Sequence, residues 1–102
     1  MIYVGADDCG PCITWRSKHR SRFLASPEFR ELGYREIIPP ALLDLKKDEY
    51  WPEDLAGIRN EFNRLPGAPV WFVIREERIL LAARGLREWE EIALPTLKSL
   101  VR

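Results

Sequence analysis

The two cysteines of the chain place the strongest constraint on its fold. They occur as Cys9-Gly10-Pro11-Cys12, between a short apolar segment, Ile2–Val4, and a segment with helical spacing that begins near Gly10. Proline is tolerated in the first turn of a helix, so Pro11 fits this start. A Cys-x-x-Cys pair where a strand meets a helix can be a redox pair, half of a metal site or a structural disulfide.

Size and composition narrow the class of protein. The chain has 102 residues, 46% of them hydrophobic and 31% charged, which predicts a single globular domain over residues 1–102. Sixteen basic residues balance sixteen acidic ones, so nothing in the charge favours nucleic acid or an anionic membrane.

The apolar segments are also too short for membrane insertion. The runs over 70–74 and 79–83 fall far below the roughly 20 residues that a membrane span requires. The first residues lack both the basic and the long apolar region of a signal peptide. We therefore expect a cytoplasmic protein, unless an export signal has been removed.

Hydrophobic spacing predicts an α/β protein with the order β-α-(α)-β-α-β-β-α. Strands are expected over 2–4, 41–45, 70–74 and 79–83, and helices over 10–24, 27–32, 52–65 and 86–100. Pro66 and Gly67 are expected to end the third helix, and Pro95 to kink or split the last one. A helical crossover favours parallel pairing of the first two strands, and the last two form a hairpin. This order predicts a mixed four-stranded sheet with helices on both faces.

The cysteine pair suits thiol–disulfide exchange. Cys9 would lie at a helix N-terminus, where free backbone N–H groups and the helix dipole stabilise a thiolate. Cys12, one turn further, is close enough to form a disulfide with it and to resolve a mixed disulfide. A structural bridge would constrain very little chain, because it closes only four residues.

Two other readings of the cysteines remain open. A zinc site usually has four ligands, and no second cysteine or histidine pair exists, so metal binding would require a dimer that supplies two pairs. His19 lies nearly two helical turns past Cys12, too far to join, and is expected at the surface or its boundary. The other reading is that the cysteines are two incidental buried thiols. We expect no metal site.

Several motifs resemble the thioredoxin-like family. Cys9-Gly10-Pro11-Cys12 after a short strand is similar to the thioredoxin active site. Gly67-Ala68-Pro69 before the strand over 70–74 is similar to the family's cis-proline loop, and Gly85 also matches. The Ser26-Pro27-Glu28 break resembles extended bacterial thioredoxin-like proteins, although the first strand and helix of a full thioredoxin are absent.

The resemblance implies a thioredoxin-like three-layer sandwich and a role for each motif residue. Cys9 would be the attacking thiol and Cys12 the resolving thiol, with Gly10 and Pro11 completing the motif. Pro69 would be cis and face the cysteines, and Ala68 would pair with the backbone of a substrate.

Two positions depart from the family pattern. Asp8 replaces the tryptophan that usually precedes the first cysteine, and Tyr3 stands where the family carries a buried acid. The negative charges of Asp7 and Asp8 oppose thiolate formation, so the pKa of Cys9 is expected to be lowered less than in the strongest cases.

The sequence thus predicts a thiol–disulfide oxidoreductase for protein disulfides that acts mainly as a reductant. It would need no bound cofactor, would receive electrons from an upstream reductase or another dithiol protein, and would be a monomer. The alternative is a binding, adaptor or redox-sensing module that has this fold without sustained turnover.

Two further groups of residues are interpreted as structural. The basic stretch over 16–22 is expected to be a solvated helix face rather than a phosphate site. Trp15, Trp71 and Trp89 have core spacing, whereas Trp51 falls in a predicted loop and is the tryptophan expected nearest the surface.

Overall fold

Four strands form one mixed sheet. The computed structural model describes residues 1–65 and 67–100, with Glu28 described through its backbone alone. The strands are β1 (Ile2–Val4), β2 (Arg35–Ile37), β3 (Val70–Arg75) and β4 (Arg78–Arg84), in the spatial order β2-β1-β3-β4. β1 pairs parallel with β2 and antiparallel with β3, and β3 pairs antiparallel with β4. The predicted mixed four-stranded sheet is confirmed.

Helices occupy the connections and the end of the described chain. They are α1 (Gly10–Lys18), α2 (Arg20–Leu24), α3 (Pro27–Leu32), α4 (Ala56–Phe62), α5 (Gly85–Glu88) and α6 (Leu94–Leu100), with a π-helical turn at Trp89–Ala93 and short 3-10 turns at Leu42–Asp44, Asp48–Tyr50 and Glu53–Leu55. In the part of the chain that the structure describes, none of these helices has the length and apolar character needed to cross a bilayer.

The predicted second strand over 41–45 is wrong. The strand is Arg35–Ile37, and Leu42–Asp44 forms a 3-10 turn instead. β2 lies at the edge of the sheet and buries only Ile37, so its two charged residues carry no apolar signal. The apolar run after Pro40 owes its character to Leu42 and Leu43, whose side chains are exposed.

The predicted first long helix is divided at His19. His19 stays in the right-handed helical region, but its φ of −119° is more negative than that of a regular α-helix, and α1 ends and α2 begins on either side of it. Hydrogen bonds continue on both sides, from the His19 N–H to Trp15 and from the Phe23 N–H to His19. Trp15 of α1 and Phe23 of α2 both pack on Trp89, with ring centroids 5.2 and 5.9 Å away. The two helices on either side of His19 thus contact the same core residue.

The other predicted helices are largely present. Ser26 caps α3 and Gly33 ends it, as expected. The helix predicted from Pro52 begins as a 3-10 turn before α4. Its expected end at Pro66 lies outside the described residues.

The split in the last helix is confirmed just before Pro95. Pro95 has no N–H to continue the α-helical ladder, and the chain accommodates this with the π-helical turn, in which the Leu94 N–H bonds to Trp89.

Alternate strand residues face two separate cores, so helices cover both faces of the sheet. The cysteine-side core contains Ile2, Val4, Cys9, Cys12, Ile37, Leu45, Trp51, Leu55, Phe62, Val70 and Phe72. The tryptophan-side core contains Tyr3, Trp15, Phe23, Trp71, Val73, Ala83, Trp89, Ala93 and Leu97.

The core prediction is confirmed for Trp15, Trp71 and Trp89, which are fully buried. Trp51 is the most exposed of the four tryptophans, but at 7% exposure it is buried rather than at the surface. Its ring packs on Phe62, and its indole N–H donates to the Leu45 carbonyl at 2.7 Å. Because this bond satisfies the indole N–H, the ring can be buried in the cysteine-side core although the residue belongs to a loop.

Candidate redox site at the Cys9–Cys12 disulfide

The two cysteines are joined by a disulfide where α1 begins. Their Cα atoms lie 5.1 Å apart, within the usual range for a bridge. Cys9 has extended backbone and caps α1, and Cys12 lies in the first turn of the helix. A closely spaced, bridged Cys-x-x-Cys pair of this kind fits a redox function.

The backbone of the first helical turn points at the outer sulfur. The Cys12 N–H lies 3.3 Å from Cys9 Sγ and donates to it. An N–H group at a helix N-terminus stabilises negative charge, so this contact favours a thiolate on Cys9 once the bridge is reduced.

Access to the bridge is narrow. Cys12 is fully buried and Cys9 keeps 3% of its surface exposed, whereas Gly10 and Pro11 between them are exposed. The exposure that the pair has therefore belongs to Cys9.

The loop at Ala68 lies beside Cys9. The Ala68 carbonyl oxygen is 3.8 Å from Cys9 Sγ, and the Ala68–Pro69 peptide bond is cis. Because a bridged sulfur carries no proton, this is a packing contact in the disulfide form. In the dithiol form the Cys9 S–H can donate to the Ala68 carbonyl. The Gly85 N–H donates to the Pro69 carbonyl at 2.9 Å, which ties the loop to the start of α5. Sequence-predicted residues 9, 12 and 68 are thus brought together.

Tyr3 and Arg16 form a polar pair behind Cys12. Arg16 Nη1 donates to the Tyr3 hydroxyl at 3.0 Å, and that hydroxyl donates to the Cys12 carbonyl at 3.4 Å. Arg16 Nη2 donates to the Ala6 carbonyl at 3.2 Å. Burial raises the pKa of Tyr3 above its ordinary value near 10, although Arg16 opposes this, so the phenol is neutral at pH 7.

Arg16 is the functional candidate that the sequence reading missed. The whole basic stretch over 16–22 was expected to be solvated, but the Arg16 side chain is only 14% exposed. The signal available in the sequence was its spacing, four residues after Cys12 and therefore on the same face of α1.

Gly5 leaves room for the Tyr3 hydroxyl. A Cβ atom on Gly5 would overlap the Tyr3 hydroxyl and would lie 3.2 Å from Cys12 Sγ. Since only glycine lacks that atom, Gly5 lets the phenol and the inner sulfur face the same small space.

The two aspartates before Cys9 are exposed, and each contacts another residue. An Asp7 carboxylate oxygen lies 3.6 Å from Arg16 Nη2. Asp8 Oδ1 accepts a hydrogen bond from the Leu42 N–H at 2.8 Å, which ties the 3-10 turn Leu42–Asp44 to the residue before Cys9.

An apolar groove begins at this turn. Its volume is about 320 Å³, and it is lined by Leu42, Leu43, Leu45, Lys46, Phe62, Leu65 and Gly67. We call it the leucine groove. Leu43 is 91% exposed, and the groove extends to Gly67, which directly precedes Ala68.

His19 stands apart from the cysteines. Its side chain is partly exposed and lies 3.8 Å from Glu90, as expected for a boundary residue. Among residues 1–65 and 67–100, no three His, Cys, Asp or Glu side chains group closely enough to hold a metal ion.

Comparison of the chain with protein-family models, with curated proteins and with solved structures found no match.

Proposed function

We propose that the chain is a thioredoxin-like thiol–disulfide oxidoreductase that reduces disulfides in proteins. The observation that carries this proposal is the Cys9–Cys12 disulfide at the N-terminus of α1, with the Cys12 N–H donated to Cys9 Sγ. The mixed sheet, with helices on both faces, is compatible with a thioredoxin-like sandwich.

In the proposed reaction the dithiol form supplies two electrons. The Cys9 thiolate attacks one sulfur of a substrate disulfide, which forms a mixed disulfide and releases the other substrate sulfur as a thiolate. Cys12 then loses its proton and attacks Cys9 Sγ, which releases the second substrate thiol and forms the Cys9–Cys12 disulfide. An upstream reductase or dithiol protein returns two electrons and two protons.

The surface near Cys9 supports a polypeptide as substrate. The Ala68 backbone lies beside the sulfur and offers a site for pairing with an extended chain. The leucine groove includes Gly67, the residue before Ala68, and its apolar lining suits an apolar side chain of that polypeptide. The proposal needs no bound cofactor, because both redox groups belong to the chain.

The test is reduction of insulin disulfides with dithiothreitol as electron donor. The wild-type chain is expected to exceed the dithiothreitol background, and Cys9→Ser to remove the excess. Cys12→Ser is expected to accumulate mixed disulfides that intact-mass analysis detects. Retained turnover in Cys9→Ser would contradict the assignment.

The near-complete burial of Cys9 favours a second candidate, a redox-sensing or adaptor module without sustained turnover. Exchange at a sulfur with 3% exposure is slow unless a partner opens the site. Steady insulin reduction excludes this candidate, whereas a single round of exchange supports it.

A titration against glutathione would establish the working direction. A reduction potential near −270 mV indicates a reductant, and a value between about −120 and −180 mV indicates an oxidant or isomerase.

A further inference from the structure

Cys12 faces an energetic problem in its proposed role as the resolving thiol. It must become a thiolate before it attacks Cys9 Sγ, yet it is fully buried. Burial disfavours the charged form of a thiol, because the surrounding apolar side chains cannot replace water. A positive group close to Cys12 would offset this cost.

Arg16 carries such a charge, and Tyr3 lies between it and Cys12. Arg16 follows Cys12 by one helical turn, and its guanidinium is drawn inward by two bonds, to the Tyr3 hydroxyl and to the Ala6 carbonyl. A guanidinium remains protonated at any working pH. Its 14% exposure leaves its charge only weakly screened by solvent.

Tyr3 connects this charge to the cysteine. Its hydroxyl receives the Arg16 hydrogen bond and donates to the Cys12 carbonyl, and it shares with Cys12 Sγ the space above Gly5. Because the phenol is neutral, it does not cancel the positive charge of Arg16.

The other charged groups around Tyr3 and Arg16 each have a partner. An Asp7 carboxylate oxygen lies 3.6 Å from Arg16 Nη2 and offsets part of its positive charge, although the 66% exposure of the Asp7 side chain lets solvent weaken that effect. Asp8 is bonded to the Leu42 amide. From β2, Glu36 accepts from both Arg20 of α2, at 2.8 Å, and Tyr34, at 2.6 Å.

We propose that Arg16 is a positioning residue for the resolving step, and that with Tyr3 it stabilises the thiolate of Cys12 in the reduced protein. The inference rests on the proposed function for its biological meaning. Its physical content, a coupling between the charge of Arg16 and the ionisation of Cys12, can be measured without any substrate.

The experiment uses the Cys9→Ser chain, in which Cys12 is the remaining cysteine. The thiolate absorbance near 240 nm is followed from pH 5 to 10 in this parent and in four further variants. Arg16→Gln keeps a donor but removes the charge, and Arg16→Lys keeps the charge. Tyr3→Phe removes the link between them. Arg59→Met is the matched control. Arg59 is also partly buried, but its ion-pair partner is Asp48 and not a group beside the cysteines.

Arg16→Gln is expected to lower the thiolate fraction at neutral pH about tenfold, as loss of a neighbouring opposite charge does. Arg16→Lys should recover most of the loss, Tyr3→Phe should show a smaller loss, and Arg59→Met should match the parent. Recovery by lysine separates a charge effect from a packing effect. An Arg16→Gln chain that folds and titrates within twofold of the parent would overturn the proposal.

A second variant keeps the test decisive if Arg16→Gln does not fold. Asp7→Asn, at an exposed position, removes the carboxylate that partly neutralises Arg16, so the thiolate should appear at lower pH. An unchanged titration would overturn the proposal. Insulin reduction by the wild-type chain is measured separately. If the Cys12 titration shifts in the variants but the wild type does not reduce insulin, only the proposed function is contradicted. If the wild type reduces insulin but the titration does not shift, only the role of Arg16 is contradicted.

Discussion

The Leu42 backbone N–H donates to Asp8 Oδ1 at 2.8 Å, which joins two segments 34 residues apart in the chain. One segment is the turn directly before Cys9, and the other is the 3-10 turn that forms one end of the leucine groove. Asp8 thus acts here as an acceptor for a backbone amide. Its negative charge and its structural contact can be separated by substitution.

Asp8→Ala is expected to loosen the turn at Leu42. It removes the acceptor of the Leu42 amide, and we expect a loss of about 1 kcal/mol in the free energy of unfolding, since the bond is charge-assisted but exposed. Hydrogen exchange at the Leu42 amide should become faster than in the wild type. Asp8→Asn, which keeps the acceptor oxygen, is the matched control and should preserve most of the protection. Equal exchange rates in all three chains would show that the bond is absent in solution.

Gly5→Ala is expected to destabilise the fold by about 1–3 kcal/mol, because the new Cβ would overlap the Tyr3 hydroxyl inside a packed core. Tyr3→Phe removes the hydroxyl but leaves its ring carbon close by, so the double variant should recover only part of the loss. Urea unfolding of the four chains gives the coupling energy.

The matched control for this substitution is Gly57→Ala. Gly57 lies in α4 and has no atom within 4 Å of an added Cβ, so alanine should be neutral or stabilising by up to about 1 kcal/mol. A Gly5→Ala chain as stable as Gly57→Ala would contradict the close approach of Tyr3 to Gly5.

Stability should fall steeply in alkali because of two tyrosines. Burial raises the pKa of both Tyr3 and Tyr34, and the Glu36 carboxylate raises that of Tyr34 further. Above pH 10, the unfolded chain loses these phenolic protons while the folded chain keeps them, so the free energy of unfolding decreases as pH rises. Each group contributes a slope of up to about 1.4 kcal/mol per pH unit.

Urea unfolding between pH 8 and pH 11 measures this slope. Tyr34→Phe removes one of the two protons and should make the decline above pH 10 shallower, with little change in slope below pH 9. An identical decline in Tyr34→Phe and wild type would show that Tyr34 ionises equally in the folded and unfolded chain.

The order of the elements and the position of the cysteine pair could be predicted from the sequence, because both have local sequence signals. Cys9 and Cys12 lie between an apolar strand and a proline-marked helix start, and Pro95 marks the split in the last helix. The edge strand Arg35–Ile37 carried no such signal, since one buried residue produces no alternation. Arg16 was missed for a different reason: its inward orientation depends on Tyr3 and Ala6, which the fold brings to α1.

Leu43→Ser is expected to weaken recognition of protein substrates without affecting the chemistry. Leu43 is 91% exposed and lines the leucine groove, so its replacement removes apolar contact area but almost no core packing. The kcat/KM for insulin reduction should fall several-fold, mainly through KM, whereas reduction of a small aromatic disulfide, which does not fill the groove, should be unchanged. Leu80→Ser is the matched control, because Leu80 is an exposed leucine on β4 and lines no part of this groove. Equal losses in the two variants, or equal losses with both substrates, would show that the groove has no part in binding the polypeptide.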